Sequence, residues 1–201
     1  MVAVNFMIKK SMLLLCCLAL LNACSPKQYK EPHVVIHTTM GDIELELYPT
    51  KAPQSVATFL KYVEDGFYKN TSFYRVLKLE DMPSDYNPGI IQGGLYSTND
   101  QKKAKLKGTP HESTRQTGLS HTSGAVSLAR TTPGTATTEF FICIDDQSQF
   151  DYGNDSNGDQ EGFAVFGKVV DGMNVVKKIQ AQKRSGENFV EKIRISDIER
   201  L

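Results

Sequence analysis

Short apolar runs between turn residues are the feature that most limits the folds open to this chain. In one of them Ile43, Leu45 and Leu47 alternate with glutamates, a period of two that predicts a strand with one wet and one buried face. About eight such runs occur along the sequence. Only two segments have a helical period, one that opens at Pro53 and one over residues 172–182.

The order of these segments is mostly strand after strand. This order disfavours a parallel sheet, because parallel strands need a long crossover connection between them. An antiparallel sheet that closes on itself removes its exposed edges. We therefore predict a mainly β fold, a closed eight-stranded antiparallel β-barrel capped by two α-helices, over residues 33–201.

The first 23 residues are predicted to be a signal segment rather than part of this domain. Lys9 and Lys10 precede an apolar run over residues 12–21. That run is shorter than the roughly 20 apolar residues that cross a bilayer and is typical of a secretory signal.

The signal segment ends in L21-N22-A23-C24, which resembles a bacterial lipobox. Lipidation of Cys24 would make it the first residue of the mature chain; an ordinary signal peptide cut near Ala23 is the alternative. Residues 24–32 are polar, contain two prolines and are interpreted as a tether. These features predict a domain held at a membrane of the bacterial cell envelope, facing the periplasm or the exterior.

The charge balance argues against a nucleic-acid partner. The chain has 23 basic and 23 acidic residues; loss of Lys9 and Lys10 with the signal segment leaves 21 basic residues and a net charge of −2. No basic face stands out in the remaining sequence. We expect a monomer, with no metal and no cofactor.

Two of the predicted strands, 125–129 and 139–144, flank a Thr-rich loop that contains Pro133 and Gly134. Such a pair could hold an extended peptide through main-chain hydrogen bonds while a pocket takes one side chain. An ordinary hairpin with a long turn fits the spacing equally well.

A polar insert over residues 151–162 offers a second kind of site. Asp155, Asn157 and Asp159 alternate as calcium-loop ligands do, but Gln160 stands where that motif has glycine, and no helices frame it. A plain acidic loop is the favoured interpretation, and a calcium-dependent assembly factor is kept as an alternative.

Taken together, several spaced segments resemble the cyclophilin family of peptidyl-prolyl cis–trans isomerases. The resemblance runs through nearly the whole predicted domain and rests on the order and spacing of its pieces. These are T-T-M-G-D-I-E-L-E-L-Y (38–48), A-P-Q-S-V-A-T-F (52–59), G-F-Y (66–68), F-Y-R-V (73–76), I-Q-G-G (91–94), G-A-V-S-L-A-R (124–130), E-F-F-I (139–142) and F-A-V-F-G-K-V-V-D-G-M (163–173).

The resemblance assigns roles to particular residues of this chain. Arg75, Gln92 and Phe141 take the positions of the catalytic arginine, the glutamine and the pocket floor. The positions that bind the substrate fall on Ile90, Ala129, Arg130, Glu139, Phe150 and Phe163.

The chain departs from the family pattern at several of these places. Tyr74 replaces a histidine that often precedes the arginine, and Glu139 replaces a glutamine. A phenylalanine of the pocket wall is missing, which leaves Ile90 and Ile91 to line that wall. Gln149 stands where some members have a tryptophan associated with cyclosporin binding. The inserts 78–88 and 151–162 flank the expected groove, so substrate preference and drug sensitivity are open.

The implied activity is the rotation of X–Pro bonds in proline-containing segments of exported proteins, assisted by Arg75 in an apolar pocket. Amide rotation requires neither a nucleophile nor a metal, because the barrier comes from resonance alone. A non-catalytic peptide-binding or chaperone module on the same barrel is the alternative function.

Overall fold

The structure is a computed structural model that describes residues 28–78, 88–96, 100–103, 105–154 and 158–201. The chain divides into two units, Met1–Lys30 and Glu31–Leu201, and the second contains the β-barrel. The predicted signal segment, Cys24 and the first part of the tether lie outside the described residues, as do most of the insert 78–88 and two of the three proposed calcium ligands, Asp155 and Asn157.

Nine strands are present in the described part of the chain. They are β1 His33–Thr38, β2 Gly41–Leu47, β3 Thr71–Lys78, β4 Gly89–Gly94, β5 Ala125–Leu128, β6 Phe140–Ile144, β7 Ala164–Asp171, β8 Arg184–Ser185 and β9 Asn188–Arg200.

Eight of these strands form a closed antiparallel barrel in the order β1-β2-β7-β5-β6-β4-β3-β9. The barrel closes because β1 pairs with β9 as well as with β2. The remaining strand, the two-residue β8, forms a hairpin with β9. The predicted mainly β, closed eight-stranded barrel is confirmed.

The two predicted helices are α1 Pro53–Glu64 and, near the C-terminus, α4 Met173–Gln180. Between them lie two single turns, α2 Asp100–Lys103 and α3 Thr114–Thr117, and a 3₁₀ turn at Ser148–Phe150. The sequence did not predict these turns, because four residues are too few to show a helical period. Across the ranges that the structure describes, no helix combines the length and the apolar character needed to cross a bilayer.

The apolar stripe of α1 packs against the interior of the barrel. The ring of Phe59 lies 5.8 Å from that of Phe140 and 4.9 Å from that of Phe166, and all three side chains are fully buried. Each buried phenylalanine stabilises the fold by about 1.5–3 kcal/mol. This cluster fixes the inner face of β6 and β7, and so determines which of their residues face outward.

A bulge in β3 brings two consecutive residues to the outer face of the barrel. The pairing of β3 with both β4 and β9 shifts register between Phe73 and Arg75. Phe73 and Val76 lie in the buried core, whereas Tyr74 and Arg75 line an external pocket. Regular alternation would have turned Arg75 inward, so the bulge re-aims it.

A carboxylate distant in sequence caps the start of α1. Glu112 accepts hydrogen bonds from the backbone N–H groups of Gln54 and Ser55, at 3.0 and 2.8 Å, and from the Ser55 hydroxyl at 2.7 Å. Ala52, the residue before the helix, makes no side-chain cap. Glu112 therefore satisfies the free N–H groups of the first turn and interacts favourably with the helix dipole.

We expect Glu112→Ala to lower the free energy of unfolding by about 1–2 kcal/mol, because it removes an N-terminal cap and leaves donors unpaired. Urea titration followed by circular dichroism measures this loss. Glu112→Gln, which retains an acceptor oxygen, should lose less. Equal stability of the alanine variant and the wild type would contradict the capping role.

Candidate active site

A cavity of about 640 Å³ lies on the outer face of β3, β4 and β6, and the segment that follows β5 forms part of its wall. All nine catalytic and substrate-binding residues expected from the sequence line it: Arg75, Gln92, Phe141, Ile90, Ala129, Arg130, Glu139, Phe150 and Phe163. The structure thus brings together residues from six separate parts of the chain. Their individual roles remain predictions.

The guanidinium of Arg75 is held by two partners at the cavity wall. Its Nη1 donates to Oε1 of Gln92 at 2.9 Å, while Nε and Nη2 donate to Oε2 of Glu187 at 2.9 and 2.7 Å. The Arg75 side chain is 37% exposed. It therefore carries a positive charge on the side of the cavity that a ligand can reach.

A chain of side-chain hydrogen bonds extends from Arg75 to Glu139. Gln92 Nε2 donates to the Tyr74 hydroxyl at 2.7 Å, and this hydroxyl donates to Glu139 Oε2, also at 2.7 Å. Gln92 is oriented at both ends, since its oxygen accepts from Arg75 while its nitrogen donates to Tyr74. Tyr74, which replaces the expected histidine, is thus an integral member of the network.

The Glu139 carboxylate, which is half-buried in the cavity wall, is held by protein hydrogen bonds. Its Oε1 accepts the Tyr96 backbone N–H at 2.8 Å, and a Cβ added at Gly94 would lie only 2.7 Å from the carboxylate. Burial raises the pKa of Glu139, and the hydrogen bonds from Tyr74 and Tyr96 oppose this rise. Burial is also the main cause of the raised pKa of Tyr74. Gly94, which has no side chain, leaves room for the Glu139 carboxylate beside it.

Three phenylalanines form the apolar end of the cavity. Ring centroids are 5.6 Å apart for Phe141 and Phe150, 5.2 Å for Phe141 and Phe163, and 5.5 Å for Phe150 and Phe163, all at steep interplanar angles. Such edge-to-face contacts add to the stability that burial provides. The group can accept a small apolar ring.

The ring of His121 packs against the three phenylalanines. It is 1% exposed, and its ring lies parallel to that of Phe141 at 5.8 Å. Its Nδ1 is 2.7 Å from Asp151 Oδ1, and its Nε2 is 3.1 Å from Ser127 Oγ. Burial lowers the pKa of His121, and Asp151 opposes this shift. A neutral ring protonated at Nδ1 satisfies both contacts.

The serine, histidine and aspartate of this group are connected as in a hydrolase triad. Ser127, however, is completely buried. A substrate cannot reach its hydroxyl, whereas a nucleophilic serine must be accessible to the substrate. The group instead fixes the position of the pocket floor.

Arg130 lies in the cavity wall with its side chain almost wholly buried, at 1% exposure. Nη1 and Nη2 bind the two carboxylate oxygens of Asp159 at 2.6 and 2.9 Å, and Nε donates to the carbonyl of Gly162 at 3.0 Å. Arg130 holds the pKa of Asp159 at about 2. The Asp159 carboxylate is thus engaged by Arg130 rather than free to bind calcium.

One residue that was expected in the cavity wall, Ile91, lies in the barrel core instead. Ile90 lines the cavity, but Ile91 points into the barrel core, where it is fully buried. The prediction that both isoleucines line the wall is wrong, because neighbouring residues of a strand point to opposite faces.

Comparison with known proteins identifies the family. The family model described as "Cyclophilin type peptidyl-prolyl cis-trans isomerase/CLD" matches residues 33–200. The chain belongs to the cyclophilin-type peptidyl-prolyl cis–trans isomerases.

Curated cyclophilin relatives are similar over most of their length. A peptidyl-prolyl cis–trans isomerase of Acinetobacter baylyi is 42% identical over 147 residues, which is 73% of this chain and 70% of the relative. Peptidyl-prolyl cis–trans isomerase B of Escherichia coli is 38% identical over 156 residues, 76% of this chain and 88% of the relative.

Solved structures show the same fold. The crystal structure of a cyclophilin-type isomerase of Cryptosporidium parvum covers 85% of this chain and 97% of its own, with a TM-score of 0.65 and 24% identity. The same protein in the presence of the dipeptide Ala-Pro gives a TM-score of 0.63 at 24% identity, over 83% of this chain and 96% of its own.

Three residues that support this site were not found from the sequence: Tyr96, His121 and Glu187. Tyr74 was noted only as a departure from the family pattern, and its bonds to Gln92 and Glu139 were not predicted. No local pattern in the sequence marks His121, because its partner Asp151 is 30 residues away. Glu187 is 112 residues from Arg75, and no local pattern links the two.

The buried His121 predicts a loss of stability in acid. Because the pKa of His121 is lowered in the folded state, below pH about 6.5 the unfolded chain binds a proton that the folded chain does not. The free energy of unfolding should fall as the pH decreases through 6.5 towards the folded-state pKa, by at most about 1.4 kcal/mol per pH unit from this one group.

Urea unfolding of the wild type and of His121→Gln at pH 7.5, 6.5 and 5.5 checks this expectation. The glutamine variant should be less stable at pH 7.5 and should lose less stability between pH 6.5 and 5.5. Parallel curves for the two proteins would show that His121 takes up its proton in the folded state as readily as in the unfolded state.

Proposed function

We propose that the chain accelerates X–Pro isomerisation by holding the proline ring against Phe141, Phe150 and Phe163 while Arg75 faces the imide nitrogen. The observation that carries this proposal is one cavity with a partly exposed guanidinium and an aromatic end. The backbone at Ala129 and Arg130 would fix the flanking chain, so that the other side of the bond rotates.

The barrier to this rotation is about 18–20 kcal/mol and comes from amide resonance. As the imide nitrogen becomes pyramidal, its lone pair becomes available as a hydrogen-bond acceptor. A donor that meets this lone pair stabilises the transition state more than either planar ground state. Arginine suits the role because it stays protonated and presents rigid N–H donors.

The substrates that we propose are extended, proline-containing segments of exported proteins. Proline-containing ligands are supported by the family match and by the related structure obtained in the presence of Ala-Pro. Export and membrane attachment are supported by the sequence before residue 25, which resembles a lipoprotein signal. The domain would then act at the periplasmic or exterior face of a bacterial membrane.

Replacement of Arg75 tests the mechanism. We expect Arg75→Ala to reduce kcat/KM by about 100-fold or more, since it removes the donor that the transition state uses. Arg75→Lys should be intermediate, because it retains the charge but not the fork of donors. Exchange spectroscopy on an Ala-Pro-Phe peptide with the full-length chain measures the rate.

Arg194→Ala, on β9 outside the cavity, is the matched control and should keep the wild-type rate. Circular dichroism should show that all three variants are folded. An Arg75→Ala protein as fast as the wild type would remove the mechanism. Peptide binding by the wild type without faster exchange would instead favour the non-catalytic peptide-binding module.

Mass spectrometry of the chain expressed in a bacterium tests the proposed anchor. We expect the mature protein to begin at Cys24, to carry a diacylglyceryl mass on that residue and to sediment with membranes, because a lipid anchor buries its acyl chains in the bilayer. Cys24→Ser should lack the lipid mass. A mature wild-type chain without lipid would support the ordinary signal peptide instead.

A further inference from the structure

We propose that Glu187 is a positioning residue for Arg75, which fixes the direction in which the guanidinium faces the cavity. Both Nε and Nη2 of Arg75 donate to the same oxygen of Glu187, and both side chains are partly exposed. The inference rests on the proposed role of Arg75 and adds a residue that the sequence did not reveal.

The β8–β9 hairpin holds Glu187 in place. Ser185 and Asn188 are paired, which leaves Gly186 and Glu187 as a two-residue turn in which Gly186 has a positive φ of 58°. The Val76 backbone N–H donates to the Glu187 carbonyl at 2.8 Å. The backbone of Glu187 is therefore hydrogen-bonded to Val76, the residue that follows Arg75.

The contacts with Gln92 and Glu187 fix the guanidinium at different nitrogens. Gln92 binds Nη1, whereas Glu187 binds the edge formed by Nε and Nη2. Among the described residues these contacts use three of the five N–H groups of an arginine. The remaining two can meet a substrate, and their direction is set by the three that are bound.

Loss of Glu187 should act through orientation more than through charge. An arginine side chain has many rotamers, and its exposed head would sample several of them without the carboxylate. The pair is exposed enough for water and salt to screen its electrostatic interaction. Removal should therefore lower the fraction of molecules in which the guanidinium meets the imide, and the rate should fall.

Kinetics of the full-length Glu187→Ala variant test the proposal. We expect kcat to fall about 10-fold while KM stays within about twofold, because displacement of a catalytic group lowers the rate more than it weakens binding of the ground state. Glu187→Gln, which keeps an acceptor at the same length, should recover most of the rate, to within about threefold of wild type. Glu191→Ala, exposed on β9, is the matched control and should match the wild type.

The Nε–Hε resonance of Arg75 gives a second readout, which reports the orientation and mobility of the guanidinium. It is assigned by its loss in Arg75→Lys. In Glu187→Ala this signal should shift and broaden, whereas in Glu191→Ala it should not. The midpoint of thermal unfolding should change by no more than about 2 °C, because exposed ion pairs add little stability.

The outcomes separate this inference from the proposed function. A Glu187→Ala variant as fast as the wild type, or faster, with Arg75→Ala inactive would overturn the positioning role and leave the mechanism standing. An Arg75→Ala variant with full activity would overturn the mechanism itself. An unchanged Arg75 Nε–Hε signal in Glu187→Ala would also contradict the positioning role.

Discussion

The pairing of β1 with β9 closes the barrel and gives every barrel strand two neighbours. The site depends on a bulge in β3, a strand that also pairs with β9. Phe73 and Val76 are locked in the core on either side of it. A slip of one residue would exchange the inner and outer faces of the strand. Because the core prevents that slip, Arg75 remains on the outer face despite being surrounded in sequence by apolar residues.

Burial distinguishes the two arginines of the cavity. The Arg130 side chain is buried. Its N–H groups donate to both carboxylate oxygens of Asp159 and to the Gly162 carbonyl. A guanidinium committed in this way serves as part of the wall. Arg75 is partly exposed and keeps donors for a ligand, while its exposed ion pair contributes only about 0–1 kcal/mol to stability. The contact with Glu187 therefore matters for orientation rather than for folding.

Much of the fold could be predicted from the sequence, as could many of the residues that line the cavity, because apolar alternation and the motifs of the family are local signals. The contacts that could not be predicted join residues far apart in the chain. Glu112 caps a helix 57 residues before it, and Glu187 binds an arginine 112 residues before it. Both contacts form only in the folded barrel, so no local pattern in the sequence indicates Glu112 or Glu187. Ile90 and Ile91 are neighbours in β4 and point to opposite faces, so only Ile90 lines the cavity.

The insert that follows Phe150 is bonded, in its described portion, to residues that line the pocket. Arg130 binds Asp159 and Gly162, and the Phe163 N–H donates to the Phe150 carbonyl at 2.9 Å, which ties both ends of the insert to the aromatic group. The aromatic end is therefore held in place by hydrogen bonds at both ends of the insert. Tyr74, Tyr96 and Glu139 line the polar part of the same cavity. In this polar part the chain also departs from the family pattern, with the half-buried carboxylate of Glu139 in place of glutamine.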